Sequence, residues 1–470
     1  MKKTVLAGTI AALMAGTAMA QTAGGNAELL EKVERLEAEV DYLKENAKAD
    51  RKDGAAKAVV LEGLSTTAAK FVWSGDFRYR HEDIQTEGNA GARERDRIRV
   101  RFGALIKVAD NINAKIQFST TNSGADNARS TNQTMGNSAA GNAAWDRKPV
   151  GFDQAYVEWK PDMFTTVQLG KTPIPWATTV SYFWDKDLTP EGGAIKYANG
   201  PWFASATYNW LSEQNDKGSF LKSTDSKMAS AQIGWKQLLN PTTTFTVAVG
   251  YFDLMSVKDQ PVSVSTTSTS TANLTTGAVT TTTTTGCTNF GAANPVFSSD
   301  GSLGNTTVSG TGLNSGCTLL NSDFNLIEAQ AQLDFVAAAY PVSVFVDYVK
   351  NNGAVANPTT NTKLDTALAA GFTFNKASAA KSWEAGVVYQ KTEKDSVFGG
   401  FHDSDFGGGV TDTDGYALKA AYVPVVGWTL NATYLINKRF NDVKATNGTI
   451  TTAKVDHDYK RLQLDLNYKF

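Results

Sequence analysis

The chain has 470 residues, of which 41% are hydrophobic, 20% charged and 10% aromatic, with 40 Gly, 12 Pro and 2 Cys. It holds too much apolar material to be disordered and too few cysteines to be a disulfide scaffold. With 45 basic against 47 acidic residues it has no basic excess for nucleic acid, and a mean hydropathy of −0.28 describes, on its face, a soluble protein.

Residues 1–20 read as a secretory signal peptide: Lys2 and Lys3, the apolar run from Val5 to Ala15, then Ala18-Met19-Ala20 as a small-residue cleavage site. The run is shorter than the ~20 apolar residues a membrane-spanning helix needs. Residues 21–46 are predicted to form a periplasmic coiled-coil segment. Leu29, Val33, Leu36, Val40 and Leu43 keep the heptad rhythm, with Leu at d and Val at a. In a parallel homo-oligomer Lys32 would meet Glu37 of a neighbour, and Glu39 would meet Lys44, both opposite in charge. The alternative is a lone amphipathic helix packed on its own chain. So short a coil is marginal alone, so the rest of the protein must hold the copies together. Residues 47–69, rich in Ala, Lys and Thr, read as a linker.

From residue 70 to 470 the period changes to two. Apolar and polar residues alternate most clearly in 71–79, 97–108, 112–118, 327–335 and 428–436. Weaker segments fall near 153–160, 164–171, 193–199, 203–210, 228–236, 244–253, 341–349, 366–375, 383–391 and 415–423, and the last is 461–470. The connections alternate long and short, the longest being 255–324. This parity is that of an outer-membrane barrel, with short periplasmic turns and long extracellular loops. The predicted fold is all-β, a transmembrane antiparallel β-barrel of about sixteen strands. Only a closed sheet satisfies its backbone in lipid. A soluble sheet would need a second layer, and no segment remains to supply one. Alternation splits the apolar signal between two faces, so the average hydropathy conceals the membrane span.

The final strand alternates Leu462, Leu464, Leu466, Tyr468 and Phe470 with polar residues. A terminal Phe470 on such a strand resembles the signal read by the barrel assembly machinery. Trp73, Trp159, Trp210, Trp235, Trp383 and Trp428 near strand ends suit the interfacial girdles against outer-membrane lipid.

Parity turns Arg78, Arg80, Arg97, Arg99 and Arg101 inward on neighbouring strands, followed by Lys115 and Lys160, to form a basic wall. Ion pairing with inward Asp76, Glu158, Glu328, Asp334, Glu384 and Asp465 is the plainer reading of these arginines. The third long connection, 172–191, places Asp185, Asp187 and Glu191 among Trp176, Tyr182, Phe183 and Trp184. It is too apolar for an exposed loop, so it is expected to pack inside the barrel and set an acidic constriction against the basic wall.

The Thr- and Ser-rich stretch 262–286 reads as a solvated surface loop. Cys287 and Cys317 share this loop and, being exported, are expected to form one disulfide. Asp403-Ser404-Asp405 and Asp412-Thr413-Asp414 lack full calcium-loop spacing and read as acidic turns. His81, His402 and His457 have no partner at metal-ligand spacing, so no metal, no cofactor and no enzymatic site is expected.

Gly75-Asp76-Phe77-Arg78-Tyr79-Arg80, the run Arg95–Phe102, Ala155–Glu158, Leu169–Pro173 and Trp184–Gly192 resemble Gram-negative porins, and more narrowly the family related to phosphate-selective porins. The resemblance implies a trimeric passive-diffusion channel with sixteen strands and an inward-folded third loop. The predicted function is therefore an outer-membrane porin for small hydrophilic solutes and ions. The alternative is an envelope-tethering or adhesive barrel that uses the coiled coil, with peptidoglycan as its partner, and the Thr-rich loop.

Overall fold

The computed structural model describes residues 36–37, 70–88, 91–121, 128–136, 145, 147–213, 225–264, 266–272, 279–285, 303–309, 317–356, 361–444 and 450–470. Two units are distinguished. The first, Met1–Val72 with Phe470, has helical backbone at Leu36 and Glu37. The signal segment, the rest of the predicted coil and the linker lie outside the described residues.

The second unit, Trp73–Lys469, is the barrel. Its strands are β1 (Phe71–Thr86), β2 (Arg93–Ala109), β3 (Ile112–Thr120), β4 (Val150–Trp159), β5 (Thr165–Lys171), β6 (Glu191–Asn199), β7 (Trp202–Ser212) and β8 (Ser226–Asn240). They continue as β9 (Thr243–Met255), β10 (Phe324–Ala337), β11 (Tyr340–Asn351), β12 (Thr366–Phe374), β13 (Trp383–Thr392), β14 (Thr413–Tyr422), β15 (Trp428–Lys444) and β16 (Ile450–Lys469). Each strand pairs with the next, and β16 closes antiparallel on β1 from Asp76↔Lys469 to Thr86↔Tyr459. The result is a closed sixteen-stranded antiparallel barrel, with each predicted strand present. No helix among the described residues is long and apolar enough to cross a membrane.

The alternation does the physical work. Phe77, Val100, Ile233, Val344, Leu430 and Leu464 stand on the outer face, while Arg99, Gln168, Gln232, Glu328 and Asp347 are buried on the inner one. Lipid solvates the first set, and the second finds partners only across the lumen. Beside the short turns, outer aromatics pack as Trp73–Phe102 (5.3 Å), Phe374–Trp383 (5.7 Å) and Trp428–Tyr468 (4.9 Å). Toward the long loops, Tyr208–Trp210 (5.8 Å) and Tyr389–Tyr416 (5.2 Å) form a second belt. Two such belts bracket the hydrocarbon layer.

The β10–β11 turn places Ala338 and Ala339 at φ 49° and 70°. Two-residue hairpin turns of this hand favour Asn-Gly, because side chains crowd the backbone at positive φ. Replacing Ala338-Ala339 by Asn-Gly is expected to stabilise the barrel by about 1–2 kcal/mol. Urea unfolding in detergent micelles measures this, and an unchanged midpoint would show that the turn is unstrained.

The Thr-rich stretch departs from the loop expected of it. Thr266–Ala272 and Val279–Thr285 pair as an antiparallel hairpin. β-branched threonines suit extended backbone even when polar. Pro261–Val264, Thr307–Ser309 and Cys317–Leu320 form a small separate sheet. Cys287 lies outside the described residues, and so does the predicted disulfide.

Candidate functional site

Arg78 and Arg80 on β1 and Arg97, Arg99 and Arg101 on β2 form adjacent rows on the inner wall. Their guanidinium groups are almost all matched by acids. Arg80 Nε lies 2.6 Å from Asp465, and Arg80 Nη1 lies 2.8 Å from Asp405. Arg99 Nη2 lies 2.7 Å from Asp76, and Arg101 Nη2 lies 2.5 Å from Asp187. Arg78 Nε donates to Asn467 at 2.8 Å. Arg97 donates to the Asn132 carbonyl at 2.7 Å and lies 3.8 Å from Glu82. Glu82, wholly buried, also meets Arg461 at 2.5 Å and is paired with Arg95. The arginines therefore form a nearly compensated array, as buried charges must.

The loop 172–190 crosses the lumen, and the inward polar residues of the far wall hold it there. The Ala177 backbone exchanges hydrogen bonds with Gln232 at 2.8 and 2.9 Å, and its carbonyl also accepts from Gln330 at 2.7 Å. Thr179 and Ser181 hydroxyls donate to Asp347 at 2.7 and 2.9 Å. Gln390 accepts from the Tyr182 N–H at 2.8 Å, and Glu328 accepts from Trp184 Nε1 at 3.1 Å. Aromatic packing completes the dock. Trp176 meets Trp184 and Phe252 edge-on at 5.0 and 5.2 Å, and Phe183 is 1% exposed. The apolar half of the loop thus fills the lumen beside β8–β14, while Asp187 returns to the arginines of β2.

Of the two acids on this loop, Asp187 carries the charge. Burial alone would raise its carboxyl, but Arg101, Arg99 and Arg78 bring it down to about 2. Burial, with Asp403 and Asp187 nearby, pushes the Asp185 carboxyl well above the usual carboxylate range. Asp185 accepts instead from the backbone N–H groups of Asp187 (2.8 Å) and Ser404 (2.9 Å).

A second loop, 393–412, also folds inward, and the sequence reading missed it. Asp405 bridges Arg80 and Arg461, the latter at 2.7 Å. Arg129, 1% exposed, donates to the carbonyls of Gly399, His402 and Gly409. Asp403 caps its own turn by accepting from the N–H groups of Asp405 and Phe406. His402 is fully buried and hydrogen-bonded through both ring nitrogens, to Gln390 and to the Asp403 carbonyl, and burial pushes its pKa down to about 3. The acidic turn Asp403-Ser404-Asp405 was visible in the sequence. Its arginine partners on β1 and β16 were not.

The sequence matches the family described as "Putative porin" over residues 77–470. The chain belongs to this porin family. No curated protein matches it. Among solved structures, Pseudomonas putida OprB is 12% identical, covering 86% of this chain and 96% of its own at a TM-score of 0.49. Salmonella typhi OmpF is 9% identical, covering 85% and 97% at 0.45, and Vibrio cholerae OmpT in its trimer form is 10% identical, covering 85% and 99% at 0.43.

The porin is thus an outer-membrane channel protein. Its structure brings together Arg78, Arg80, Arg97, Arg99 and Arg101 with Asp187, and with Asp185 through the loop backbone. Three of the predicted site residues lie apart. Lys115 donates to Ser74 at 3.1 Å lower on the wall. Lys160 sits at the β4–β5 turn, 3.5 Å from Glu158. Glu191 is the first residue of β6 and pairs with Lys171 at 2.7 Å on an exposed edge.

Proposed function

We propose that this porin forms a water-filled homotrimeric channel for passive diffusion of small hydrophilic solutes and ions, constricted between the β1–β2 arginines and Asp187 of the inward loop. The observation that carries the reading is the inside-out distribution of polarity on a closed wall. Apolar groups face outward, and amides, carboxylates and guanidiniums line the lumen, an arrangement stable only if lipid lies outside and water inside. Charge rings at a constriction set ion preference. Here acids and arginines are nearly balanced, which favours weak selectivity. The heptad rhythm of Leu29, Val33, Leu36, Val40 and Leu43 supports an oligomer, with Val at a and Leu at d leaning toward two strands, and the family resemblance supports its being a trimer.

Reconstitution of the purified oligomer into a planar bilayer is expected to give stepwise conductance, with a zero-current potential close to zero in a salt gradient. A folded oligomer that never conducts would overturn the proposal.

A further inference from the structure

β5 stops at Lys171 and β6 starts at Glu191, so the rim of the barrel dips there. The β4–β5 pairing covers only Ala155–Trp159 of β4, whereas β7 runs on to Ser212. A cavity of about 540 Å³ lies at this dip, between the inward loop and the upper ends of β3, β4 and β7. That volume is within the ~300–1,000 Å³ range of small-molecule sites. Trp176, Trp184 and Phe401 give it aromatic surface, and Ser119, Thr120 and Asn209 give it hydroxyl and amide groups.

Two further observations point to a ligand and to its chemistry. Trp176 Nε1 and Ser119 Oγ both belong to nearly buried residues lining this cavity, and neither has a hydrogen-bond partner. Buried polar atoms are ordinarily satisfied, so an unpaired donor and hydroxyl beside a cavity await a guest. Second, each charged side chain lining the cavity is already paired. Asp153 accepts from Gln117 at 2.7 Å and lies 3.5 Å from Arg101. Asp187 is held by Arg101 and Thr131, and Lys171 by Glu191. An ion would find no free counter-charge. A neutral polyhydroxylated molecule could lay its C–H face on the indoles and exchange hydrogen bonds with the hydroxyls.

We propose that this cavity is a binding subsite for a neutral sugar of mono- to disaccharide size, on the outer approach to the channel. The assignment rests on the channel reading above and adds to it the class of solute.

Isothermal titration of the full-length oligomer with glucose and with maltose tests it, in a detergent without a sugar head group. Saturable binding is expected with at least one of the two sugars. Ser119→Ala, which deletes an unpaired hydroxyl with little change in packing, should weaken it about tenfold without lowering Tm, and Trp176→Phe, which deletes the unpaired N–H and part of the indole, should weaken it at least as much. No saturable heat with either sugar, binding indifferent to both substitutions, or tighter binding of inorganic phosphate would each overturn the subsite. Bilayer conductance of the same preparation reports on the channel separately. Conductance without sugar binding removes the subsite and leaves the channel, and sugar binding without conductance does the reverse.

Discussion

Replacing Arg97, Arg99 and Arg101 together with Ser is expected to drive the zero-current potential in a tenfold KCl gradient toward the cation limit of about 59 mV. The three side chains do not act as bare positive charges. Arg99 neutralises Asp76, Arg101 neutralises Asp187, and Arg97 faces Glu82. Their removal therefore subtracts three positive charges and also exposes carboxylates that were compensated. Asp187 then keeps only Arg78 of the three arginines that hold its carboxyl down against burial, so its share of the shift should grow as pH rises. The shift should shrink as salt rises toward 1 M, where the screening length falls to about 3 Å. Asp187→Asn should move the potential in the opposite direction by less, since it frees one arginine. A triple substitution that leaves the potential unmoved would mean that permeating ions do not pass this wall.

Asp405→Asn is expected to release the 393–412 loop. Asp405 is shared by Arg80 and Arg461, both nearly buried. Removing one partner from a buried ion network costs about 3–5 kcal/mol. The lower end applies here, because Arg80 keeps Asp465 and Arg461 keeps Glu82. This loss falls on the loop and not on the wall, whose strand ladder is untouched. Trypsin should then cleave after Lys394, which the native fold protects through hydrogen bonds to its carbonyl from Asn305 and Thr411. Single-channel conductance should rise as the loop leaves the lumen. Trypsin resistance together with wild-type conductance would show that Asp405 does not anchor the loop.

The barrel was readable from sequence because lipid imposes one rule on every strand. An outward position must be apolar, and an inward one is polar except where an inward loop packs on it, so Ile98–Val100–Phe102 against Arg97–Arg99–Arg101 leaves no second register. Loop-length parity then oriented the strands. The inward loop 172–190 could also be read, since Trp176, Tyr182, Phe183 and Trp184 have no business in bulk water. The 393–412 loop gave a weaker form of the same sign in Val397, Phe398, Phe401 and Phe406, and it was passed over. Its apolar residues are set among glycines and acids. What buries it is the packing of Val397, Phe398 and Phe406 in the core together with the tethers from Arg129 and from Arg80 and Arg461 to Asp405, the last two arginines lying on strands far from it in sequence. Similarly, parity places an arginine inside but does not name its acid, so a basic wall and a paired array look alike until the strands are closed. Glu191 fell on the strand and not in the loop because element edges depend on pairing, here with Lys171 and Trp210.

The seam where the last strand meets the first has a bearing on assembly. Across it Arg78 faces Asn467, Arg80 faces Asp465, and Glu82 reaches Arg461 beside Gln463. A slip of two residues keeps every side chain on its proper face, so hydrophobic patterning alone would accept it. It would, however, set Arg80 against Asn467 or Gln463 and carry it away from Asp465. Charge at the seam thus works as a vernier: it separates the right closure from neighbouring ones that the membrane itself could not tell apart.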